Sequence, residues 1–435
     1  MAFLERLAEL RADKSGNAMA ICAAALPLMI GGVGLAVDTV QISLAKRELQ
    51  RAADSAALAG AYAANRHGSA NAATRLAFAQ AAATRDLAVN NDESLSAAAV
   101  IQNSPATGAF AADIRAVRVQ LSTSQTMSFL SLFDASPQAI TVEATATSIR
   151  DGNFCMLSLE DGNAPGVTVG GNADIDLDCG IATNSTSTTA ITADGSATIV
   201  ASPIMAVGSV PPSSNYSSCT QLISNAPSQI DPFANVPTPN PTNCRAEPTQ
   251  DDYTISPTTT GYNATDRSIC FNGLNIKGTV NFNFTEPTVV YINGGDLEFG
   301  AQAQVTGTNV TFVLTSTNAT SDPTSVAGLK MNGGAEISIT APSTGPYARI
   351  AMYQDHRAAI GNTIRFNGGS GSVFNGAVYF PQAYFEYNGG ADMRAQCLQL
   401  VARRLDFRGN GKITNNCTPG GPIDNFDATF IRLVA

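Results

Sequence analysis

Residues 15–37 run without a charged side chain between Lys14 and Asp38. The stretch reads Ser15 to Cys22, three alanines, Leu26-Pro27-Leu28-Met29-Ile30, then glycine-rich 31–34 and Leu35-Ala36-Val37. As a helix it spans ~35 Å, enough to cross a ~30 Å hydrocarbon core with some tilt. It predicts a transmembrane helix preceded by a cytoplasmic tail, residues 1–14. A cleaved signal peptide is the rival, given Arg6, Arg11 and Lys14 ahead of it, but its apolar core would be longer than the usual ~7–15 residues. Basic residues flank the span on both sides, with Lys46, Arg47 and Arg51 following it. Local charge therefore hardly sets the orientation. Pro27 removes a helical hydrogen bond and predicts a kink. Gly32 and Ala36 form a small-x-x-x-small pair that lets another helix approach closely.

If residues 15–37 cross a membrane, everything after them lies on one side of it. Residues 1–150 carry 12 basic and 12 acidic side chains, so the whole excess of −10 falls in residues 151–435. An acidic second half argues against nucleic acid as a partner. Seven of the eight cysteines also follow residue 150, with no Cys-x-x-Cys pair and only two histidines in the chain. Zinc is thereby disfavoured, and disulfides in an oxidising compartment are expected. Cys155–Cys179 and Cys397–Cys417 are the expected pairs. Cys219, Cys244 and Cys270 leave one pair and one odd thiol.

Residues 38–66 read as a continuation of the helix, with an approximate apolar stripe through Val37, Val40, Leu44, Leu49, Ala52, Ala53 and Ala56. The small residues Ala52, Ala53 and Ala56 suit close packing on a partner helix. His67-Gly68-Ser69 should break this rod. A second alanine-rich helix is expected over 70–89, capped by Asn71. Ile114 to Leu121 and Ile140 to Thr147 alternate with period two and predict antiparallel strands, with a short helical Phe129 to Phe133 between them.

The run Ser15-Gly16-Asn17-Ala18, Ala25-Leu26-Pro27, Gly34-Leu35-Ala36-Val37-Asp38 and Leu49-Gln50-Arg51-Ala52-Ala53-Asp54-Ser55-Ala56-Ala57-Leu58-Ala59 resembles the N-terminal region of the Flp (Tad) pilus-assembly TadG-like proteins. The resemblance implies a bacterial inner-membrane protein of a pilus and secretion system, with a periplasmic or surface-exposed bulk. Its expected partners are other pilus-assembly membrane proteins or pilus subunits. Two departures matter. Related pseudopilins are cut after a Gly and need Glu five residues on, where this chain has Ile21. Longer members carry an Asp-x-Ser-x-Ser metal motif, whose nearest string here, Asp194 to Thr198, reads better as a Gly/Ser turn.

Residues 151–435 are short strand candidates separated by Gly/Asn turns. These candidates are Val167–Val169, Ile175–Asp178, Ile199–Val200, Leu274–Ile276, Val289–Ile292, Leu297–Phe299, Val310–Leu314 and Ile337–Ile339. Asn-Gly-Gly recurs at Asn293, Asn332, Asn367 and Asn388, echoed by Gly409-Asn410-Gly411. The spacing fits one or two turns of a solenoid, and Asn and Gly tolerate the left-handed backbone its corners need. A right-handed parallel β-helix is favoured over a sandwich. Gly376 to Pro381, Cys397 to Ala402, Phe407 to Gly411 and Cys417 resemble the β-helical ending of some pilus-assembly proteins. A Pro/Ser/Thr-rich excursion is expected at about 210–266. The predicted fold class is thus α+β and membrane-anchored: helix and rod with a small antiparallel sheet to residue 150, then an all-β domain.

No nucleophile–base set, cofactor site or metal site emerges. Asp174, Asp176 and Asp178 form an acidic row on one strand face, more readily a solvated face than a calcium site. Asp355-His356-Arg357 reads as a loop salt bridge. A second functional class is a membrane-tethered carbohydrate-binding or polysaccharide-cleaving protein, with Tyr379, Phe380, Tyr384, Phe385 and Tyr387 lining a groove for a cell-wall or surface glycan. Core stacking is the commoner fate of such rings.

Overall fold

The structure is a computed structural model that describes residues 15–66, 71–132, 136–217, 220–246, 252–367, 372–389, 392–395, 397–415, 417 and 425–434. The chain divides into two compact units, residues 1–149 with 431–435, and residues 150–430. The tail at 1–14, the break at 67–69 and Cys219 lie outside the described residues.

The first unit begins with α1, Ser15–Arg66, which continues through Pro27. Its outer part leaves Ile21, Leu26, Leu28, Met29, Ile30, Val33 and Leu35 exposed. A soluble core helix would bury these side chains. Val40 and Leu44, expected in the apolar stripe, are also exposed, and from Ala45 the pattern inverts: Ala45, Leu49, Ala52, Ala53, Ala56, Ala57, Ala61 and Ala64 form a buried face. Against this face packs α2, Ala72–Asn90, through Ala79, Ala83 and Leu87. Asn71 caps α2 by accepting the Thr74 N–H at 2.9 Å, so the helix starts after Asn71 rather than at residue 70. Methyl-sized side chains let two helices and a sheet approach closely. Gly60 marks a close approach of helix to sheet, where a Cβ would come within 2.9 Å of Val117.

The sheet of this unit is antiparallel. Val100–Asn103 pairs with Val117–Gln125, which pairs with the first part of Gln138–Ser158. Val117, Val119 and Leu121 alternate inward with Ile140, Val142, Ala144 and Ala146 from the next strand. The expected start of the middle strand at Ile114 is corrected to Val117. Asp113 holds a turn there, its side chain accepting the Arg115 N–H at 3.0 Å and its carbonyl the Ala116 N–H at 3.0 Å. At the chain's far end the Val434 N–H donates to Thr145 O.

The second unit is built on parallel ladders of short strands. The longest joins Ser268–Phe271 to Thr279–Asn293, then to Gln304–Thr315, Ile350–Gln354, Val373–Gly389 and Leu398–Gly409. It then turns back in sequence. Leu400 pairs with Met156, Met156 with Ile181, Ile181 with Ile204, and Ile204 with Leu222. The start of the unit thus sits in the middle of its ladder, sealed there by the pass nearest the C-terminus. A second ladder repeats the order, Leu274–Ile276 through Leu297–Phe299, Leu329–Met331, Thr363–Asn367, the later part of Val373–Gly389 and Leu398–Gly409 to Val167–Val169 and Ile191–Ala193.

Left-handed glycines stack at the turns between strands. Gly389 (φ 110°), Gly409 (φ 84°), Gly171 (φ 73°) and Gly195 (φ 66°) follow one another up the unit, across the break in sequence order. A Cβ on Gly409 would meet the Gly389 backbone at 3.0 Å, and one on Gly171 the Gly409 backbone at 3.1 Å. Both the sign of φ and the spacing demand glycine there. Asn172 and Asn410 hydrogen-bond side chain to side chain at 3.0 Å in the same column.

From residue 224 the chain runs back past the ladder it has just built, shortening the expected excursion, because Leu222–Ile223 and Tyr253–Ile255 are ladder strands. Gln229 exchanges hydrogen bonds with Asn184 and with Thr429. Asp231 accepts from Tyr379 Oη at 2.7 Å, and the Phe233 ring lies 5.2 Å from that of Tyr379. Pro239 O accepts from Arg357 at 3.2 Å, and Cys244 is bonded to Cys270. This strap covers one face of the longest ladder, which is why strands such as Ile350–Gln354 and Ser268–Phe271 are buried at every residue. Strands away from it, such as Glu336–Thr340 and Thr363–Asn367, alternate between buried and exposed. A sheet covered on both faces gives continuous apolar runs, and one covered on a single face gives alternation.

Candidate functional site: the exit of the apolar helix

Gly34, Asp38 and Phe129 converge near the end of the exposed apolar stretch of α1. Asp38 is 97 % covered, at 3 % exposure. Its carboxylate accepts the Phe129 N–H at 3.1 Å and the Leu130 N–H at 2.6 Å. It thereby caps the 3-10 turn Leu130–Leu132. Charge-assisted hydrogen bonds of this kind are the strong ones. One helical turn earlier, Gly34 gives the Phe129 ring its place: a Cβ there would lie 2.4 Å from Cδ1 of that ring. Gly34 and Asp38, four residues apart, share one face of α1 and fix the loop before the strand Gln138–Ser158. An open hollow of about 590 Å³ beside this contact is lined by Ala23, Leu26, Pro27, Ile30, Phe129 and Leu132, among other apolar residues.

The five helix-packing residues read from the sequence separate into two groups. Ala52, Ala53 and Ala56 are buried in the core of their own unit. Their close packing is satisfied by α2 and the sheet of this chain, and they are not available to a partner helix. Gly32 and Ala36 are exposed, and a Cβ on Gly32 would touch nothing within 4 Å. Gly34 and Asp38 stood in the quoted motif, but their roles could not be read there. Their partner Phe129 lies 91 residues beyond Asp38.

Among the described residues three disulfides are present, Cys155–Cys179, Cys397–Cys417 and Cys244–Cys270, while Cys22 is free and exposed. Beside two of them Asn415 is buried, accepting the Leu398 N–H at 2.9 Å and donating to Leu398 O at 3.1 Å. The third ties the end of the strap to the first strand of the long ladder.

Asp355, His356 and Arg357 hold the strap. Asp355 is fully buried and takes Arg357 Nη2 at 2.6 Å, Nε at 3.0 Å and Thr315 Oγ1 at 2.7 Å. Burial alone would raise its pKa, but the hydrogen bonds from Arg357 and Thr315 outweigh that and hold it below the ordinary carboxyl range. His356 Nδ1 lies 3.2 Å from Tyr379 Oη, the group that also reaches Asp231. Burial, and then the Asp231 carboxylate, push the Tyr379 hydroxyl well above its ordinary value. The triplet thus reaches the strap directly through Arg357 on Pro239 O and indirectly through His356, Tyr379 and Asp231.

In the acidic row, Asp174 is paired with Thr198 Oγ1 and with Lys412 at 3.1 Å, the Thr198 hydrogen bond coming first among the causes that lower its pKa. Asp194 to Thr198 is a turn around left-handed Gly195. Among the described residues no cluster of three His, Cys, Asp or Glu side chains could hold a metal. The groove suggested for a glycan is corrected. Tyr379, Phe380, Phe385 and Tyr387 are buried, and Tyr384 is half-buried under the Arg404 guanidinium at 4.5 Å. The inward phase along Val373–Gly389 changes at the register shift between Phe380 and Tyr384, so Phe380 before it and Phe385 and Tyr387 after it all enter the core, while the strap covers Tyr379.

Comparison with known proteins bears on the same region. No curated protein and no solved structure matches the chain. Residues 16–65, which hold the apolar span, Gly34, Asp38 and the buried alanine face, match the family model of putative Flp pilus-assembly TadE/G-like proteins, and over that segment the chain is similar to this family.

Proposed function

We propose that the chain is a non-enzymatic, single-pass inner-membrane component of a bacterial Flp/Tad pilus-assembly system. The match over residues 16–65 carries this reading. The exposed leucines, isoleucine and methionine of α1 support a span in lipid, where such side chains are at home. The three disulfides favour the second unit's lying outside the cytoplasm, with the N-terminus inside. In this reading the parallel ladders with their glycine turns form a right-handed β-solenoid. It presents a rigid surface to pilus subunits or other assembly proteins, and Gly32 and Ala36 meet a partner helix within the bilayer. The glycan-binding alternative has less behind it, since its aromatic residues are inside.

The test is photo-cross-linking in intact cells, with the cross-linker at Ala36 and the unsubstituted protein as control. Adducts between position 36 and pilus-assembly membrane proteins are expected, and none from the unsubstituted protein. Lipid adducts alone, or adducts only to proteins unrelated to the pilus, would overturn the assignment.

A further inference from the structure

The loop held by Asp38 is built for a place water does not reach. No charged residue occurs between Arg118 and Asp134. Leu132 is 75 % exposed. The four N–H groups from Phe129 to Leu132 nonetheless each have a partner. Those of Phe129 and Leu130 go to Asp38, that of Ser131 to Met127 O at 3.1 Å, and that of Leu132 to Phe129 O at 3.1 Å. The Ser131 hydroxyl turns back to Ser128 O at 3.1 Å. A turn in water has no need of four satisfied N–H groups in a row, whereas a backbone entering hydrocarbon must bring its hydrogen bonds with it. The contact is also displaced toward the apolar part of α1. Phe129 lies on Gly34, about 6 Å inward from Asp38 along the helix axis.

We propose that the loop Met127–Leu132 is a second membrane-contacting element, lying in the leaflet at the exit of α1 with lipid acyl chains covering Leu132 and filling the hollow beside Ile30. The occupant is lipid rather than protein because the hollow is continuous with the exposed apolar surface of α1 and apolar throughout its lining. Asp38 then has two tasks. It neutralises the loop's free N–H groups, and it fixes how deep the loop sits beside the span. This inference rests on α1 crossing the membrane.

The chain contains no tryptophan, so single substitutions give unambiguous fluorescence. The full-length protein would carry Leu28→Trp, Leu132→Trp or Ile360→Trp, each at an exposed position. It would be reconstituted in phosphatidylcholine vesicles with and without bromine on the acyl chains. Blue-shifted emission that is lost in brominated lipid is expected for Leu28→Trp and Leu132→Trp, with Ile360→Trp unaffected. Quenching at position 28 without quenching at 132 overturns the loop proposal and leaves the span standing. A blue-shifted but unquenched probe at 132 also overturns it, since protein then covers the site. An unquenched probe at 28 overturns the span itself.

Discussion

In the first unit the inside of α1 is alanine upon alanine, closed by Gly60 against Val117. In the second the inside is phenylalanine, isoleucine, leucine and valine, with Phe282, Phe299 and Phe312 in edge contacts at 4.8–6.5 Å. The two cores meet opposite requirements. Helices lying on a sheet at close range gain from small side chains, because the nearest approach is backbone to backbone. Parallel strands that turn their apolar side chains to a shared interior leave a space that no backbone enters, so they need volume. One core should therefore fail when side chains grow, and the other when they shrink.

The largest expected effect comes from removing volume in the second unit. Phe312→Ala leaves a cavity among neighbouring rings and should cost about 3–5 kcal/mol. Hydrogen exchange resolved by peptide should show the loss in the second unit and not in α1 or α2. Next comes added volume in the first. Ala56→Leu should cost about 1–3 kcal/mol through overpacking and loosen α2 first. A neutral Ala56→Leu would mean that the alanine face is not closely packed, and the contrast would fall.

The smallest effect concerns acid. Asp355 has its pKa lowered in the folded state, so the stability it contributes is full above the unfolded value, about 3.9, and is lost as pH falls through the lower folded value. Denaturant titrations of the second unit should weaken below about pH 4. Asp355→Asn, though less stable at neutral pH, should flatten that slope. An unchanged slope would show that the strap is held by other groups.

Much of the first unit could be read directly. The span, the helix from 38 to 66 and the alternating strands announce themselves through local composition and period. The role of Asp38 could not be read, because it depends on a loop 91 residues away. The strands of the second unit were legible for a similar local reason, and so were the turns at Asn293 and Gly409. The order of the passes was not. Each pass shows nearly the same apolar pattern, so nothing local tells Leu400 that its neighbour is Met156. The glycan groove failed on the same ground, since burial of Tyr379 depends on a strap that arrives from residues 231 and 233.

The sequence by itself determined what acts over a few residues: the charge-free span, helix and strand periods, the glycine turns, and cysteines placed to bond one pass to the next. Tertiary structure alone decided what acts across the chain. It turned the alanine face inward, laid Phe129 on Gly34 beneath Asp38, and seated the beginning of the second unit mid-ladder. The reason is that main-chain pairing and close packing recognise shape and register, which many segments share, and only the assembled neighbours select among them.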